Sequence, residues 1–336
     1  MNQPEIQYCP STLKPGFATY SPLARQALFG SRTKNISHIL PFGPPGKDPG
    51  LTRTYNEKRK TISISGVQEK YSLLQVKNNL ELTAANGTHI LKPIPNERLE
   101  RIGDMPANEH VTMQIAQQVF GIKTAACAMI FFDDGSPAYI TRRFDYKQDG
   151  SKYQVEDFAT LMGKSPEREG DDFKYNASYL EIALLINRYV PAAIVEMIRF
   201  FQLVVFNYLF ANGDAHLKNF SLMESEQGDY LLAHAYDLLC TALHIDDSQL
   251  ALSGGLYEGD TEEQPYLKFG TYTRQSFILF AEKIGIRTSL AAKILDSFMN
   301  AVHPAKEMIG RSFLSEGAKE KYIAIVDDRQ RRLMLD

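Results

Sequence analysis

The pattern of hydrophobic and polar positions predicts a run of strands in the first part of the chain. Hydrophobic and polar residues alternate in RKTISIS, KYSLLQVK and THILKP, and Gly66 lies at the turn between the first two segments. AACAMIFF and PAYITRRF predict two further strands. The segment from Pro41 to Gly50 is rich in proline and glycine and predicts an irregular loop.

Helical spacing dominates the second part of the chain. A first helix is predicted earlier, from Asn108 to Phe120, and helices prevail from about Val155 onward. Pro191 opens a long helix that runs to about Phe210. A short β interruption is predicted from Asn219 to Tyr236, and helices resume from about Tyr272.

This order predicts an α+β fold with two lobes. Residues 1–145 form a β-rich N-terminal lobe in this interpretation, and residues 146–336 form a mainly helical C-terminal lobe. The cleft between two such lobes is the default place for a ligand.

The composition is that of an ordinary globular protein. The chain has 336 residues, 44% hydrophobic and 23% charged, with a net charge of -3. That charge argues against a general attraction to nucleic acid or to an anionic membrane. Three cysteines without CxxC spacing predict neither a zinc site nor a disulfide framework, and they fit a reducing cytoplasm. The most apolar stretch, Ile194 to Ala211, contains charged and amide residues and predicts a buried helix rather than a membrane span.

The most specific chemistry lies in the segment ANGDAHLKNFS, which begins at Ala211. Asp214 and Asn219 have the spacing D-x-x-x-x-N of a kinase catalytic loop. In such a loop the aspartate accepts the proton of the substrate hydroxyl, and the asparagine oxygen holds Mg²⁺ beside it. Asp237 follows a short β hairpin, where a kinase places its second metal carboxylate. Alone the spacing is weak, because Asn-Gly-Asp is also a good turn signal.

Other candidate residues precede this loop in the order that a kinase requires. The turn between the first two strands could lay backbone N–H groups over phosphates, although it could also be an ordinary β-turn. Lys92 ends a strand and is the candidate for pairing with phosphate, unless it is simply solvated. Glu109 near the start of the next helix could pair with Lys92, or it could only favour the helix N-terminus. The order of these weak signals together indicates phosphoryl transfer from Mg-ATP.

Six segments carry a resemblance to a known family. SISGVQEKYSLL, THILKP, NEHVTMQIAQQVFGI, ITRRFDY, NGDAHLKNFSL and YDLL are similar to HipA-like serine/threonine kinases of bacterial toxin–antitoxin modules. The resemblance spans about residues 60 to 240. It implies a two-lobed, kinase-like fold and ATP and Mg²⁺ as cofactors.

The resemblance also implies roles for individual residues. Asp214 corresponds to the catalytic base, Asn219 and Asp237 to the magnesium ligands, and Lys92 to the phosphate lysine. The remaining nucleotide-binding candidates are Ser65, Gly66, Val67, Gln68 and Lys70 of the phosphate loop, Arg143 and Phe144 of the adenine hinge, and His216 and Lys218 of the catalytic loop, whose roles are open.

Ser63 and Ser65 flank Ile64 at the mouth of the predicted phosphate loop. The family autophosphorylates a serine here, so the resemblance implies the same modification at one of the two. The other reading is that the serines alternate on the polar face of an edge strand.

The predicted phosphate loop starts close to the N-terminus, and this favours the short HipT kind of the family. The resemblance then implies a small HipS-like antitoxin, a HipB-like DNA-binding protein and contact with DNA only through the latter. It implies an aminoacyl-tRNA synthetase as substrate, the tryptophan enzyme being associated with the HipT kind. No membrane partner is expected. Two other functions stay open: a small-molecule kinase, and a catalytically inactive nucleotide-binding co-repressor.

Overall fold

The computed structural model describes residues 6–31, 33, 35–45, 69–147 and 149–335. The chain divides into two compact units. The first unit contains Met1–Gln114, Ala125–Phe144 and Met308–Lys319, and the second contains Ile115–Thr124, Asp145–Glu307 and Glu320–Asp336. The predicted division into lobes at residue 145 stays a prediction.

Strands and helices follow one another along the described ranges. The strands are β1 Tyr71–Val76, β2 Asn79–Leu82, β3 His89–Pro93, β4 Cys127–Phe131, β5 Pro137–Arg142, β6 Val155–Asp157, β7 Ser221–Glu224 and β8 Tyr230–Leu232. The helices are α1 Pro22–Phe29, α2 Met105–Gln118, α3 Phe158–Leu161, α4 Pro166–Glu169, α5 Tyr179–Tyr189, α6 Ala193–Leu209, α7 Gln264–Phe269, α8 Arg274–Lys283, α9 Thr288–Gly310 and α10 Glu316–Leu333.

The first unit is built on a five-stranded antiparallel sheet. Its strand order is β2-β1-β3-β5-β4. The hairpin between β1 and β2 turns at Lys77, which has φ +55°. Strand β3 lies in the middle of the sheet, and there Lys92 faces Tyr139 of β5 across the ladder. The central strand therefore fixes the backbone of the predicted phosphate lysine.

The segment before the sheet supplies part of its core. Helix α1 begins after Ser21, whose hydroxyl accepts a hydrogen bond from the Ala24 N–H, and Pro22 occupies its first position. Leu28 of this helix is fully buried in one cluster with Leu91 of β3. The N-terminal residues thus cover apolar side chains of the sheet that would otherwise face water.

Helix α6 is the centre of the second unit. It is apolar on nearly all sides, as a helix buried in a core should be. Its buried Glu196 accepts hydrogen bonds from Arg199 at 2.9 Å and from the Leu232 N–H of β8 at 3.1 Å. This helix leads directly into the candidate catalytic loop, so the rigid core determines where that loop begins.

The predicted α+β fold class, β-rich in its N-terminal part and helical in its C-terminal part, is confirmed. Strands β1, β3, β4 and β5 lie where the alternation predicted them, and helix α2 covers Met105–Gln118 where helical spacing predicted Asn108 to Phe120. The expectation of helices from Val155 was wrong at its start, because Val155–Asp157 pairs with β7 as a strand. The long helix begins at Ala193 rather than Pro191. None of the helices in the described ranges is both long enough and apolar enough to cross a membrane.

Candidate active site

The candidate catalytic loop leaves α6 through a tightly bonded turn. Ala211 has φ +49°, which is uncommon for a residue with a side chain. Asn212 donates its side-chain amide to Asn207 of α6 at 2.9 Å. The Thr241 hydroxyl accepts from the Gly213 N–H at 2.7 Å and donates to the Ala211 carbonyl at 3.0 Å. These bonds fix the loop backbone before it reaches Asp214.

Gly213 lies so close to Asp247 that any larger residue at this position would displace the Asp247 carboxyl group. A Cβ on this residue would lie 2.3–2.4 Å from the carboxyl atoms of Asp247. Burial raises the pKa of Asp247, and the charge of Asp214 raises it further. The glycine therefore lets a second carboxyl group approach the backbone immediately before the candidate base.

Asp214 presents a half-exposed carboxylate, with 47% of its side chain accessible. Its Oδ1 accepts a hydrogen bond from the Tyr175 hydroxyl at 2.5 Å, and His216 Nε2 lies 3.8 Å from the same oxygen. Burial raises the pKa of Tyr175, and its bond to Asp214 adds to that rise, so the phenol stays protonated and donates. Such a carboxylate has one oxygen held by the protein and can take a proton from a bound hydroxyl.

His216 contributes a neutral ring to the loop. Burial lowers its pKa to about 4, an effect that the nearby charge of Asp214 only partly opposes. The ring packs edge-on against Tyr175 with centroids 5.2 Å apart. Its Nδ1 has no hydrogen-bond partner among the residues that the structure describes. At neutral pH this side chain therefore supplies shape and no positive charge.

Lys218 and Asn219 complete the loop as part of a 3₁₀ turn, Leu217–Asn219. Lys218 donates to Asp157 Oδ2 at 2.9 Å, while Asp157 Oδ1 caps α3 by accepting from the Thr160 N–H. Asn219 Oδ1 accepts from the His216 N–H at 3.2 Å. That bond orients the amide, and a carbonyl oxygen has a second lone pair that can bind a cation.

Asp237 adopts a left-handed backbone conformation, with φ +55°. The preceding Tyr236 donates its hydroxyl to the Lys218 carbonyl at 2.8 Å and lies 2.6 Å from the Ser221 hydroxyl. The catalytic loop and the segment of Asp237 are therefore joined. Side-chain residues at positive φ tend to occur at functional sites, where the surrounding structure holds them.

The donors of Asn219 and Asp237 suit Mg²⁺, which prefers hard oxygen ligands. Over the described ranges, no three or more His, Cys, Asp or Glu side chains group closely enough to hold a metal ion. Mg²⁺ in phosphoryl-transfer sites is usually held by one or two carboxylates, with waters and substrate phosphate oxygens as further ligands. The Asn219 amide on this loop and the Asp237 carboxylate on the segment that Tyr236 joins to it therefore have the chemistry that this ion needs.

In the first unit, Lys92 and Glu109 form a buried ion pair. Lys92 Nζ lies 2.5 Å from Glu109 Oε1, and the two side chains are only 3% and 1% exposed. The ammonium also lies 5.4 Å from the centroid of the Tyr139 ring. Lys92 is thus not a solvated lysine at a strand end, and Glu109 of α2 holds it in one position.

For the other predicted nucleotide-binding residues that lie in the described ranges, the structure gives the position in the fold. Lys70 is half-buried just before β1. Arg143 donates its backbone N–H to the Thr88 carbonyl at 2.9 Å, and Phe144 is the last residue of that stretch of the first unit. Ser63, Ser65, Gly66, Val67 and Gln68 lie outside the described residues.

Sequence reasoning missed several side chains that bond to, or lie against, the candidate catalytic loop. These are Tyr175, Asp157, Tyr236, Thr241 and Asp247. Tyr175 is 39 positions from Asp214, and Asp157 is 61 positions from Lys218. No local motif signals such partners, because the fold alone brings them to the loop.

Comparisons with known proteins identify the family of this chain. The family description "HipA-like C-terminal domain" matches residues 62–305. A Haemophilus influenzae protein named "Putative kinase" is 24% identical over 278 residues, covering 77% of this chain and 78% of that protein. Two Sinorhizobium fredii proteins with the same description are 27% and 28% identical, and the matches cover 47% and 44% of their lengths. The chain thus spans under half of these rhizobial relatives.

Two solved structures share the fold. HipA of Shewanella oneidensis, in a complex with HipB and operator DNA, matches with a TM-score of 0.63 at 19% identity, covering 88% of this chain and 73% of that chain. The kinase CtkA of Helicobacter pylori matches with a TM-score of 0.50 at 16% identity, covering 78% of this chain and 90% of that chain. The resemblance to HipA-like proteins is confirmed, and the assignment to the HipT kind stays a prediction. This chain belongs to the family defined by the HipA-like C-terminal domain.

Proposed function

We propose that the protein is an ATP- and Mg²⁺-dependent serine/threonine protein kinase. The observation that carries this proposal is the loop geometry around Asp214. A half-exposed carboxylate is held on one oxygen, and Asn219 follows on the same loop, which Tyr236 joins to the segment of Asp237. Kinases combine a base and oxygen ligands for Mg²⁺ in this way.

The chain's own residues would divide the reaction between them. Asp214 would accept the proton of a serine or threonine hydroxyl as its oxygen bonds to the γ-phosphorus and the bond to ADP breaks. Asn219 and Asp237 would hold Mg²⁺, which when bound neutralises charge on the phosphate oxygens. Lys92, kept in place by Glu109, would pair with the phosphates.

A toxin role is the finer part of this proposal. We take the acceptor to be a host protein, an aminoacyl-tRNA synthetase and in particular the tryptophan enzyme, whose modification would stop translation. This target rests on the resemblance of the sequence motifs. The setting would be the cytoplasm, and the buried cysteines Cys9, Cys127 and Cys240, which form no disulfide, fit its reducing conditions.

A HipB-like DNA-binding protein is the better supported of the two proposed partners. The matched HipA of Shewanella oneidensis is described in complex with HipB and operator DNA. DNA would then be reached only through that protein. A small HipS-like antitoxin rests on the sequence resemblance alone.

Incubation of the purified protein with γ-labelled ATP, Mg²⁺ and a bacterial lysate tests the function. We expect label on a protein band, and loss of that label in Asp214→Asn, because the amide cannot act as the base. Label on a small molecule would favour a metabolite kinase instead. Absence of any label with intact ATP binding would favour an inactive nucleotide-binding co-repressor and would contradict the proposal.

Autophosphorylation at Ser63 or Ser65 is a second expected outcome. Purified wild-type protein should carry phosphate on one of these serines, and Asp237→Gln should not. Phosphoserine adds a charge of about -1.5 to -2 at neutral pH, which would repel the nucleotide phosphates and lower ATP affinity. Intact-mass and peptide mass spectrometry measure the modification. Two unmodified serines in an active enzyme after long incubation with Mg-ATP would exclude this switch and leave the kinase assignment standing.

A further inference from the structure

Tyr175 makes a short hydrogen bond to the candidate base. Its hydroxyl donates to Asp214 Oδ1 at 2.5 Å, across 39 positions of sequence. It ends the 3₁₀ turn Asp171–Tyr175, which belongs to the same unit as Asp214. Hydrogen bonds to a charged acceptor are among the shorter and stronger ones in proteins.

Several contacts hold Tyr175 in this position. Its backbone carbonyl accepts from the Ser253 N–H at 2.9 Å and from the Ala177 N–H at 3.0 Å. The His216 ring packs edge-on against the Tyr175 ring, with the two ring centroids 5.2 Å apart. Lys174 Nζ lies 5.0 Å from the centroid of the Tyr175 ring. The phenol is therefore anchored at its backbone and at its ring, so it is a fixed donor.

A fixed donor restricts how the Asp214 carboxylate can turn. Because Tyr175 occupies Oδ1, the group keeps one orientation and Oδ2 is left for a hydroxyl of the acceptor. A general base works only when that oxygen lies within about 2.6–3.2 Å of the hydroxyl that it deprotonates. We propose that Tyr175 is a positioning residue, which sets the orientation of Asp214 for proton abstraction.

The same contact could act in the opposite sense. A phenol bonded to the base could mimic the acceptor hydroxyl and block the site until it moves away. The half-exposed Asp214 side chain favours positioning, since the carboxylate remains open to solvent while Tyr175 is bound. The two roles predict changes of opposite sign when the hydroxyl is removed.

The inference rests on the proposed kinase function and is tested by Tyr175→Phe, which removes only the hydroxyl. We expect kcat to fall about ten- to a hundredfold, as is typical when a reacting group loses its orientation. KM for ATP and for the acceptor should stay within about twofold, because Tyr175 is not assigned to binding either substrate. Tyr189→Phe is the matched control, since Tyr189 is 41% exposed on α5 of the same unit, and it should leave kcat unchanged.

A double-mutant cycle supplies a reading that does not need activity. Urea unfolding of wild type, Tyr175→Phe, Asp214→Ala and the double variant should show a non-zero coupling, because the two side chains share one hydrogen bond. A kcat that rises in Tyr175→Phe would establish blocking and overturn positioning. An unchanged kcat together with a measurable coupling free energy between Tyr175 and Asp214 would show that the hydrogen bond only stabilises the fold, and it would also overturn the positioning role. A wild-type protein that transfers no phosphate would instead overturn the proposed function.

Discussion

Asp237→Asn is expected to lower the rate of phosphoryl transfer by at least about 10²–10³-fold while the protein stays folded. The substitution removes the charge that would hold Mg²⁺ but keeps nearly the same shape. Asparagine also tolerates the left-handed backbone that Asp237 adopts at φ +55°. Loss of activity in this variant would therefore report on the carboxylate and not on the backbone.

Asp237→Ala separates these two contributions. Alanine should lose activity to the same extent, but it should also destabilise the protein by up to about 1–2 kcal/mol, because it lacks the polar side chain that lets aspartate and asparagine hydrogen-bond locally at positive φ. The comparison uses steady-state phosphorylation at several Mg²⁺ concentrations together with urea unfolding. Asp296→Asn is the control, since Asp296 is 62% exposed and forms an ion pair with Arg274 on the surface of the second unit. Transfer by Asp237→Asn at nearly the wild-type rate would remove Asp237 from the proposed metal site.

The strands of the first unit could be predicted because alternation is a direct consequence of a sheet with two unlike faces. THILKP led to β3 and to Lys92, and the neighbouring strand β5 was predicted as well. Strand β2 was missed, since its hairpin turns at Lys77 rather than at an Asn-Gly or Gly-Gly pair. Helix α1 was also missed, although Ser21 followed by Pro22 is a usual start signal for a helix.

The candidate site was predictable only where its chemistry is local in sequence. Asp214 and Asn219 share one loop, so their spacing could be read directly. The Tyr175 bond to Asp214 comes from a distant segment. The backbone conformation of Asp237 could not be predicted from the sequence either, because positive φ at a non-glycine residue depends on the surrounding structure.

The burial of Lys92 is a further property that could not be predicted from the local sequence. A lysine at the end of a strand is most often solvated, but β3 lies in the centre of the sheet and Glu109 of α2 reaches its ammonium. Burial changes what a substitution there should do. An exposed ion pair contributes about 0–1 kcal/mol, whereas removing one partner of a buried pair leaves the other as an uncompensated charge.

Lys92→Met should therefore destabilise the protein by about 3–5 kcal/mol in urea unfolding. The variant leaves the Glu109 carboxyl group at 1% exposure without the ammonium that now lies 2.5 Å away. Lys319→Met is the matched control, because it breaks the ion pair of Lys319 with Glu316, which is 85% exposed. That control should change the free energy of unfolding by no more than about 1 kcal/mol.

The double variant Lys92→Met with Glu109→Gln should recover most of that lost stability, because both charges of the buried ion pair are then removed together. It keeps a polar group of similar shape at position 109, so other contacts of Glu109 can persist. Calorimetry of Mg-ATP binding to this double variant separates the two roles of Lys92, which are stabilising the fold and binding phosphate. If Lys92 pairs with phosphate, the double variant should be folded but should bind ATP at least about tenfold more weakly than the wild type, a loss of roughly 1.4 kcal/mol in binding free energy. Wild-type affinity in the double variant would leave the ion pair a structural feature of the first unit and would remove Lys92 from the nucleotide site.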